Sequence, residues 1–216
     1  AAGLGLAGIG TVHVRAGGPV MAADLGTGLV DADRGRPREE AAATAVAALA
    51  PDVLTGPPPA RLAADLVVLA DALVPEPEQV AALHAARTAH LVVRLRDGTG
   101  VVGPLVLPRR TACLRCLDLH RNDHDPAWPR VAAQLIGRPG RADPACVTAT
   151  AALATAQALT ALDGISGGAQ APAVLDATLE LDVAAGTLVR RDWTPHPDCG
   201  CGVTAPPETQ RGMAHG

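Results

Sequence analysis

The chain of 216 residues contains no lysine, phenylalanine or tyrosine and only two tryptophans, whereas alanine, glycine, proline and arginine are plentiful. This skew is typical of a strong compositional bias in the source genome, so the shortage of aromatic residues says little about function. There is also no excess of positive charge, because the net charge is −4 and the pI is about 5.9. The chain therefore lacks the electrostatic signature of nucleic-acid binding.

The apolar stretches are short or interrupted by polar residues, and none resembles a membrane span of about 20 residues. No signal peptide supports a secreted chain, so we expect a cytoplasmic protein whose five cysteines are metal ligands or reactive thiols rather than disulfides. The length predicts one moderately large domain over residues 1–202. The Pro-rich, polar residues 203–216 are expected to be a disordered tail.

Two cysteine pairs lie far apart in this sequence, Cys113-Leu-Arg-Cys116 and Cys199-Gly-Cys201. Two such pairs are the usual way in which a chain gathers four thiolates around one tetrahedral Zn²⁺. The pattern therefore predicts a zinc site that clamps the end of the chain onto its middle. Two alternatives stay open: a redox C-x-x-C, which normally opens a helix after a strand, and a disulfide pair in a secreted chain.

Strand and helix patterns alternate between these landmarks. The predicted helices are 37–50, with Glu39 and Glu40 in its first turn, 75–89 and 147–162. The predicted strands are 11–15, 64–70, 91–95 and 100–107, followed by an antiparallel hairpin within 174–192. Alternating strands and helices favour βαβ units. We expect an α/β, Rossmann-like, mostly parallel sheet with helices on both faces, ending in the hairpin and the zinc site.

The first ten residues match G-x-G-x-x-G at Gly3, Gly5 and Gly8. A phosphate-binding loop needs a strand before it, and here a strand is predicted after it. We prefer a helix end that breaks into a turn, because glycine is enriched just past helix C-termini. The first strand and the true glycine loop of the domain are then expected upstream of Ala1.

Two further segments carry possible ligands or nucleophiles. Residues 118–129 contain two histidines and several aspartates, so that a second metal site competes with a solvated polar loop anchored by Trp128. Cys146 lies one residue before the predicted helix 147–162, where the helix dipole would lower a thiol pKa. The alternative is a small apolar side chain that fills space.

The order of the segments resembles the ThiF/MoeB family, the adenylyltransferases related to ubiquitin-activating enzymes. The matching pieces are Leu6-Ala-Gly-Ile-Gly, Gly35-Arg-Pro-Arg-Glu at a helix start, the C-x-x-C pair, Cys146 entering a helix of small residues, Leu175-Asp-Ala, and the closing His-Pro-Asp-Cys-Gly-Cys-Gly. The chain also looks like the divergent branch attached to azole-forming peptide biosynthesis, in which the fold binds a precursor leader peptide for a partner cyclodehydratase.

This resemblance implies ATP and Mg²⁺ as cofactors, a homodimer, and attack by the carboxylate of a ubiquitin-like carrier protein or ribosomal peptide on the α-phosphorus of ATP. It implies that Arg38 stands in the position of the basic ATP-binding residue, Asp71 in that of the catalytic aspartate, and Cys146 in that of a cysteine that joins a sulfur carrier. The family's Asn-Leu-x-Arg-Gln segment is represented only by Asp24-Leu-Gly-Thr. We therefore carry two hypotheses, an adenylyltransferase that is degenerate or incomplete, and a non-catalytic peptide-binding module.

Overall fold

A five-stranded sheet organises the chain in the computed structural model, which describes residues 1–26, 28–58, 63–70, 72–168 and 170–204. The helices of this part are α1 (Ala2–Leu6), α2 (Arg38–Leu49), α3 (Pro77–Ala85), α4 (Leu114–His124), α5 (Trp128–Leu135) and α6 (Pro144–Ile165). The strands are β1 (Val67–Ala70), β2 (His90–Arg96), β3 (Thr99–Val106), β4 (Ala177–Asp182) and β5 (Thr187–Asp192). The expected tail lies outside the described residues from 205 onward.

The strands lie in the sheet in chain order. β1 and β2 are parallel, with Val67 opposite His90, and each later pair is antiparallel. The α/β class and the C-terminal hairpin are confirmed, but parallel pairs do not form the expected majority among the described strands. The reason is the turn at Asp97 and Gly98, whose φ angles of 49° and 81° are both positive. A two-residue turn of this kind joins adjacent antiparallel strands, so β2 and β3 form a hairpin.

α6 covers one face of the sheet. Small residues on one side of the helix, Ala154, Ala158 and Ala161, pack in a core cluster with side chains of β2, β3 and β4. By length and composition alone α6 could cross a membrane, but its contacts are those of a helix packed on a sheet. It begins earlier than predicted because Pro144 occupies its first turn and the carboxylate of Asp143 caps it.

The tightest contact between α6 and the sheet joins Thr150 to Gly100 of β3. A β-carbon at position 100 would overlap the hydroxyl of Thr150. Glycine in this strand therefore marks a close approach of helix and sheet.

α3 and α4 lie over the other face, where Arg94 of β2 lines a cavity together with residues of both helices. Helices thus cover both faces, as expected. The prediction of a polar loop at 118–129 is wrong, because most of this segment is helical, in α4 and the start of α5. Leu117 anchors α4 in a buried cluster, and Arg121 and His124 in its last turn suit the negative end of the helix dipole.

The N-terminal residues form a smaller layer. α1 ends at Leu6 and is followed by Gly8 in a left-handed turn (φ 89°), which confirms the helix-end interpretation. Val12, Val46, Ala50 and Val53 form a core cluster beside α1 and α2. The strand predicted at 11–15 is not formed. Thr11 makes an isolated bridge to Leu54, and this bridge does not extend into a ladder. α1 also contacts α6.

Candidate metal centre

Four cysteines, two from the middle of the chain and two from near its end, meet at one point. The Sγ atom of Cys113 lies 3.8 Å from that of Cys116 and 3.6 Å from that of Cys199, and the Sγ atoms of Cys116 and Cys201 are 3.7 Å apart. All four sulfurs lie within 4.8 Å of one another. The convergence predicted from the two pairs is therefore present.

These distances are those of a metal site. A tetrahedron of sulfurs around an ion at about 2.3 Å has edges of about 3.8 Å, which the three measured separations match. A disulfide would bring two sulfurs to about 2.05 Å, and all five cysteines are free thiols. A redox pair uses only two sulfurs, whereas here both pairs share one centre. The four cysteines form a group that can hold one metal ion.

The polypeptide positions the first pair at the start of α4. Cys113 occupies the N-cap position in an extended conformation, and Cys116 lies in the first turn. Just before them, the backbone N–H of Ala112 donates a hydrogen bond to Asp176 Oδ1 at 2.7 Å. The backbone carbonyl of Asp176 also accepts a hydrogen bond from the N–H of Trp193. Asp176 therefore links both ends of the C-terminal hairpin to the cysteine turn. The Leu175-Asp-Ala motif marks this residue in the sequence, but its positioning role appears only in the structure.

The surroundings of the thiols favour a bound cation. Burial raises the pKa of Cys113 well above its ordinary value, and it raises the pKa of Cys199 to about 11. Burial acts in the same direction on Cys116, but hydrogen bonds from the backbone at His196 and Cys113 and from neighbouring thiols outweigh it and lower its pKa. Of these three thiols Cys116 ionises most readily, and Cys113 and Cys199 would need the charge of a metal ion to ionise beside it.

A second group, His120, Asp123 and His196, lies beside the cysteines. His196 Nε2 is 2.8 Å from Asp123 Oδ2, and His196 Nδ1 accepts a hydrogen bond from the N–H of Asp198 at 3.1 Å. His120 Nε2 lies 2.9 Å from the carbonyl oxygen of Thr194. Both nitrogens of His196 are therefore engaged, and the group holds residues 194–198 against α4. Sequence reasoning noted the histidines of α4 but missed His196, which lies in the closing motif.

Arg38 lies at the first position of α2 and binds the loop before it. Its Nη2 and Nε atoms donate to Asp24 Oδ2 at 2.9 and 3.2 Å, and its Nη1 donates to the carbonyl of Gly17 at 2.7 Å. Burial works to raise the pKa of Asp24, but hydrogen bonds from the N–H of Met21 and from Arg38 outweigh it and lower that pKa. The guanidinium therefore already has partners within the chain.

Cys146 lies inside α6 and not before it. It is fully buried, and its thiol donates a hydrogen bond to the carbonyl of Gly98 at 3.1 Å. A nucleophile has to be exposed, and this arrangement does not meet that condition. Asp71, the predicted catalytic aspartate, lies outside the described residues.

No protein-family model matches the chain, and a comparison of its sequence with curated proteins finds no match. Solved structures do share the fold. MccB from E. coli, crystallised with MccA-N7isoASN, superposes with a TM-score of 0.68 at 15% identity over 93% of this chain and 64% of that one. MccB with N-formylated MccA gives 0.68 at 14% identity over 92% and 63%, and PaaA gives 0.59 at 14% over 88% and 68%.

The chain has a ThiF/MoeB-like fold. This confirms the family resemblance at the level of the fold. The chain spans less than two thirds of the length of the MccB structures that it matches. Within the ThiF/MoeB-like fold, the cysteine group closes the C-terminal half, while Arg38 belongs to the N-terminal layer.

Proposed function

We propose that this chain is the core of a ThiF-type protein that modifies peptides, in which ATP activates the carboxylate of a ribosomal peptide or a ubiquitin-like carrier. The observation that carries the proposal is the fold shared with MccB over nine tenths of this chain. MccB has been crystallised both with ATP and with the MccA peptide. These complexes support a nucleotide and a peptide as ligands of the same scaffold.

The reaction is an adenylation. A carboxylate oxygen of the substrate attacks the α-phosphorus of ATP, the bond to the β-phosphate oxygen breaks, and pyrophosphate leaves from an acyl adenylate. Positioning and charge stabilisation supply most of the catalysis in such phosphorus chemistry. Arg38 would meet the phosphates with Mg²⁺, Asp71 would hold the metal ion, and Cys146 would join the activated carrier after exposure.

Zinc is the ion that we propose for the cysteine group. Zn²⁺ prefers a tetrahedral set of four thiolates at the separations seen here. Such a set leaves no coordination position for water or substrate, so the ion would be structural. Its effect is to fasten the segment after β5 to the start of α4.

The second candidate function is a non-catalytic module that binds a leader peptide for a partner cyclodehydratase. Two observations favour it. Arg38 is held by Asp24 and Gly17, and the thiol of Cys146 is buried. A chain whose cation and nucleophile are both engaged needs a rearrangement before it can catalyse adenylation. We propose a cytoplasmic location and a homodimer for either function.

Pyrophosphate exchange into ATP, measured on the purified protein, separates the two functions. Adenylation predicts exchange that depends on a carrier or precursor peptide, and we expect Arg38→Ala to lower it at least tenfold. Arg36→Ala is the matched control, because Arg36 lies two residues earlier and pairs with Asp33. No exchange with any candidate peptide, together with tight peptide binding, would leave the binding module.

A further inference from the structure

A cavity lies between α3, β2, α4 and the cysteine group. Its volume is about 640 Å³, which is in the range of ligand pockets. Most of its wall is apolar, with Val80 and Ala81 of α3 on one side and Leu114 and Leu117 of α4 on the other. Its wall also includes Cys113, Cys199 and Cys201, three of the four proposed zinc ligands. None of the functions assigned above uses the rest of the cavity.

The charged residue in the cavity wall that is most deeply buried is Arg94. It projects from β2, a strand in the middle of the molecule, and only 8% of its surface is exposed. Among the described residues, its one hydrogen bond is a long contact of 3.5 Å from Nη1 to the carbonyl of Leu73. Within the described residues, no hydrogen bond joins Arg94 to a cysteine. A guanidinium has five N–H donors, so most of its hydrogen-bonding capacity is unused there.

Among the described residues, the two acids whose charges act on Arg94, Asp118 and Glu180, are committed to other partners. Asp118 accepts hydrogen bonds from Arg121 at 3.2 Å and from Trp128 Nε1 at 3.1 Å. Glu180 accepts from Arg96 at 3.1 Å and from Arg191 at 3.2 Å. The cavity is also lined by Arg115 and Arg121, and by His84, whose pKa is lowered by burial. On the side of the cysteines, four thiolates around Zn²⁺ would carry a net charge of −2.

A buried cation is stable only when it is paired or hydrogen-bonded, because its transfer from water to an apolar site is costly. Burial, followed by the nearby charge of Arg121, lowers the pKa of Arg94 to about 10. The group is nevertheless charged at neutral pH. The burial of Arg94 and its unused N–H donors therefore call for an anion beside it.

We propose that this cavity binds an acidic side chain of a peptide, with Arg94 contacting the carboxylate and the apolar walls contacting the residues on either side. The inference rests on the proposed peptide-binding function and names a site for it. A carboxylate suits a guanidinium because two parallel N–H···O bonds form. A phosphate group would be expected to use several backbone N–H donors of a glycine-rich loop, whereas this cavity has a single glycine, Gly200.

The two tryptophans of the chain report on the site. Arg121 lies over both rings, 4.9 Å from the centre of Trp128 and 5.4 Å from that of Trp193. Since the chain contains no tyrosine or phenylalanine, its intrinsic fluorescence comes from these two rings. A ligand that moves Arg121 will change that signal, so binding can be titrated without a label and without ATP.

The probe is N-acetyl-Leu-Glu-Leu-amide, with the Gln peptide of the same length as its neutral match. We expect the Glu peptide to bind at least tenfold more tightly than the Gln peptide, and Arg94→Gln to remove that preference. Arg96→Gln is the control, because it removes a positive charge two residues along the same strand from an exposed pair. If Arg94→Gln fails to fold, Ala81→Phe is the second test. It narrows the cavity and leaves Arg94 intact, so it should weaken the binding of both peptides.

Equal binding of the Glu and Gln peptides to the wild-type chain would overturn the proposal. The proposal would also be overturned if Arg94→Gln kept the preference for the Glu peptide. It would be overturned as well if the chain bound only peptides with a free C-terminal carboxylate and not the side-chain carboxylate of the probe. Binding that appears only in Asp71→Asn would also overturn it, because that acid would then be the partner of Arg94. None of these results depends on pyrophosphate exchange, so failure of the site is distinguishable from failure of adenylation.

Discussion

His196 Nε2 lies 2.8 Å from Asp123 Oδ2, and this contact joins the segment before the second cysteine pair to the helix that carries the first. The histidine is nearly fully buried, with 4% of its surface exposed. The pair therefore acts as a second link between α4 and the segment that follows β5, beside the cysteine group. It makes the position of Cys199 dependent on α4 even without an ion.

The first prediction concerns this pair. Replacing Asp123 by Ala or His196 by Gln removes the hydrogen bond between Asp123 and the buried ring and is expected to lower the free energy of unfolding by about 1 kcal/mol. Urea denaturation of both single variants and the double variant measures the effect, because residues in direct contact are non-additive. His124→Gln, an exposed neighbour on α4, is the control. Fully additive losses would show that the two side chains do not interact.

The second prediction concerns the metal. The purified protein should contain about one zinc per chain, because four thiolates complete one tetrahedral site. Cys113→Ser and Cys199→Ser should each lose the ion and lower the thermal midpoint, and a chelator should do the same to the wild type. Cys146→Ser is the matched control, since this buried cysteine lies outside the group. Retention of zinc by both ligand variants would refute the site.

The third prediction concerns pH. His90 is completely buried, its Nδ1 lies 3.0 Å from the carbonyl of Thr88, and burial lowers its pKa from 6.5. The unfolded chain therefore takes up this proton first as the pH falls. The stability contributed by the neutral ring is present above about pH 6.5 and is lost as the pH falls toward the lower pKa of the folded state.

Replacement of His90 by Asn should flatten this dependence by up to about 1.4 kcal/mol per pH unit. Urea denaturation at several values from about pH 7 downward, with zinc content checked at each, measures the slope. Identical slopes for the variant and the wild type would remove His90 as the cause.

The fourth prediction concerns the contact between α6 and the sheet. Gly100→Ala is expected to destabilise the protein by about 1–3 kcal/mol, because its β-carbon would overlap Thr150. Gly10→Ala is the control, since nothing lies within 4 Å of a β-carbon there. Thr150→Ala combined with Gly100→Ala should recover part of the loss. An unchanged thermal midpoint for Gly100→Ala alone would mean that the helix and the strand are farther apart.

Much of the fold was predictable because it depends on local patterns. The helix at Arg38–Leu49 follows from its proline and acidic first turn, and the hairpin at 177–192 follows from alternation around a glycine turn. The sheet pairing was not predicted, because the Asp97-Gly98 turn signal was overlooked between two apolar strands. The sequence of α4 indicates a loop because polar residues predominate in it, and the apolar side formed by Cys116 and Leu117 is too short to show a helical period.

The sequence by itself determined the cysteine group, because the spacing of two close pairs restricts where four sulfurs can go. It also determined the α/β class, since apolar periodicity sets whether a segment can cover or enter a sheet. Only the tertiary structure decided that Cys146 is buried, that Arg38 is held by Asp24, and that Arg94 lies in a cavity with only one long hydrogen bond among the described residues. Burial and partners depend on segments that are distant in the chain, and no local pattern records which of them meet.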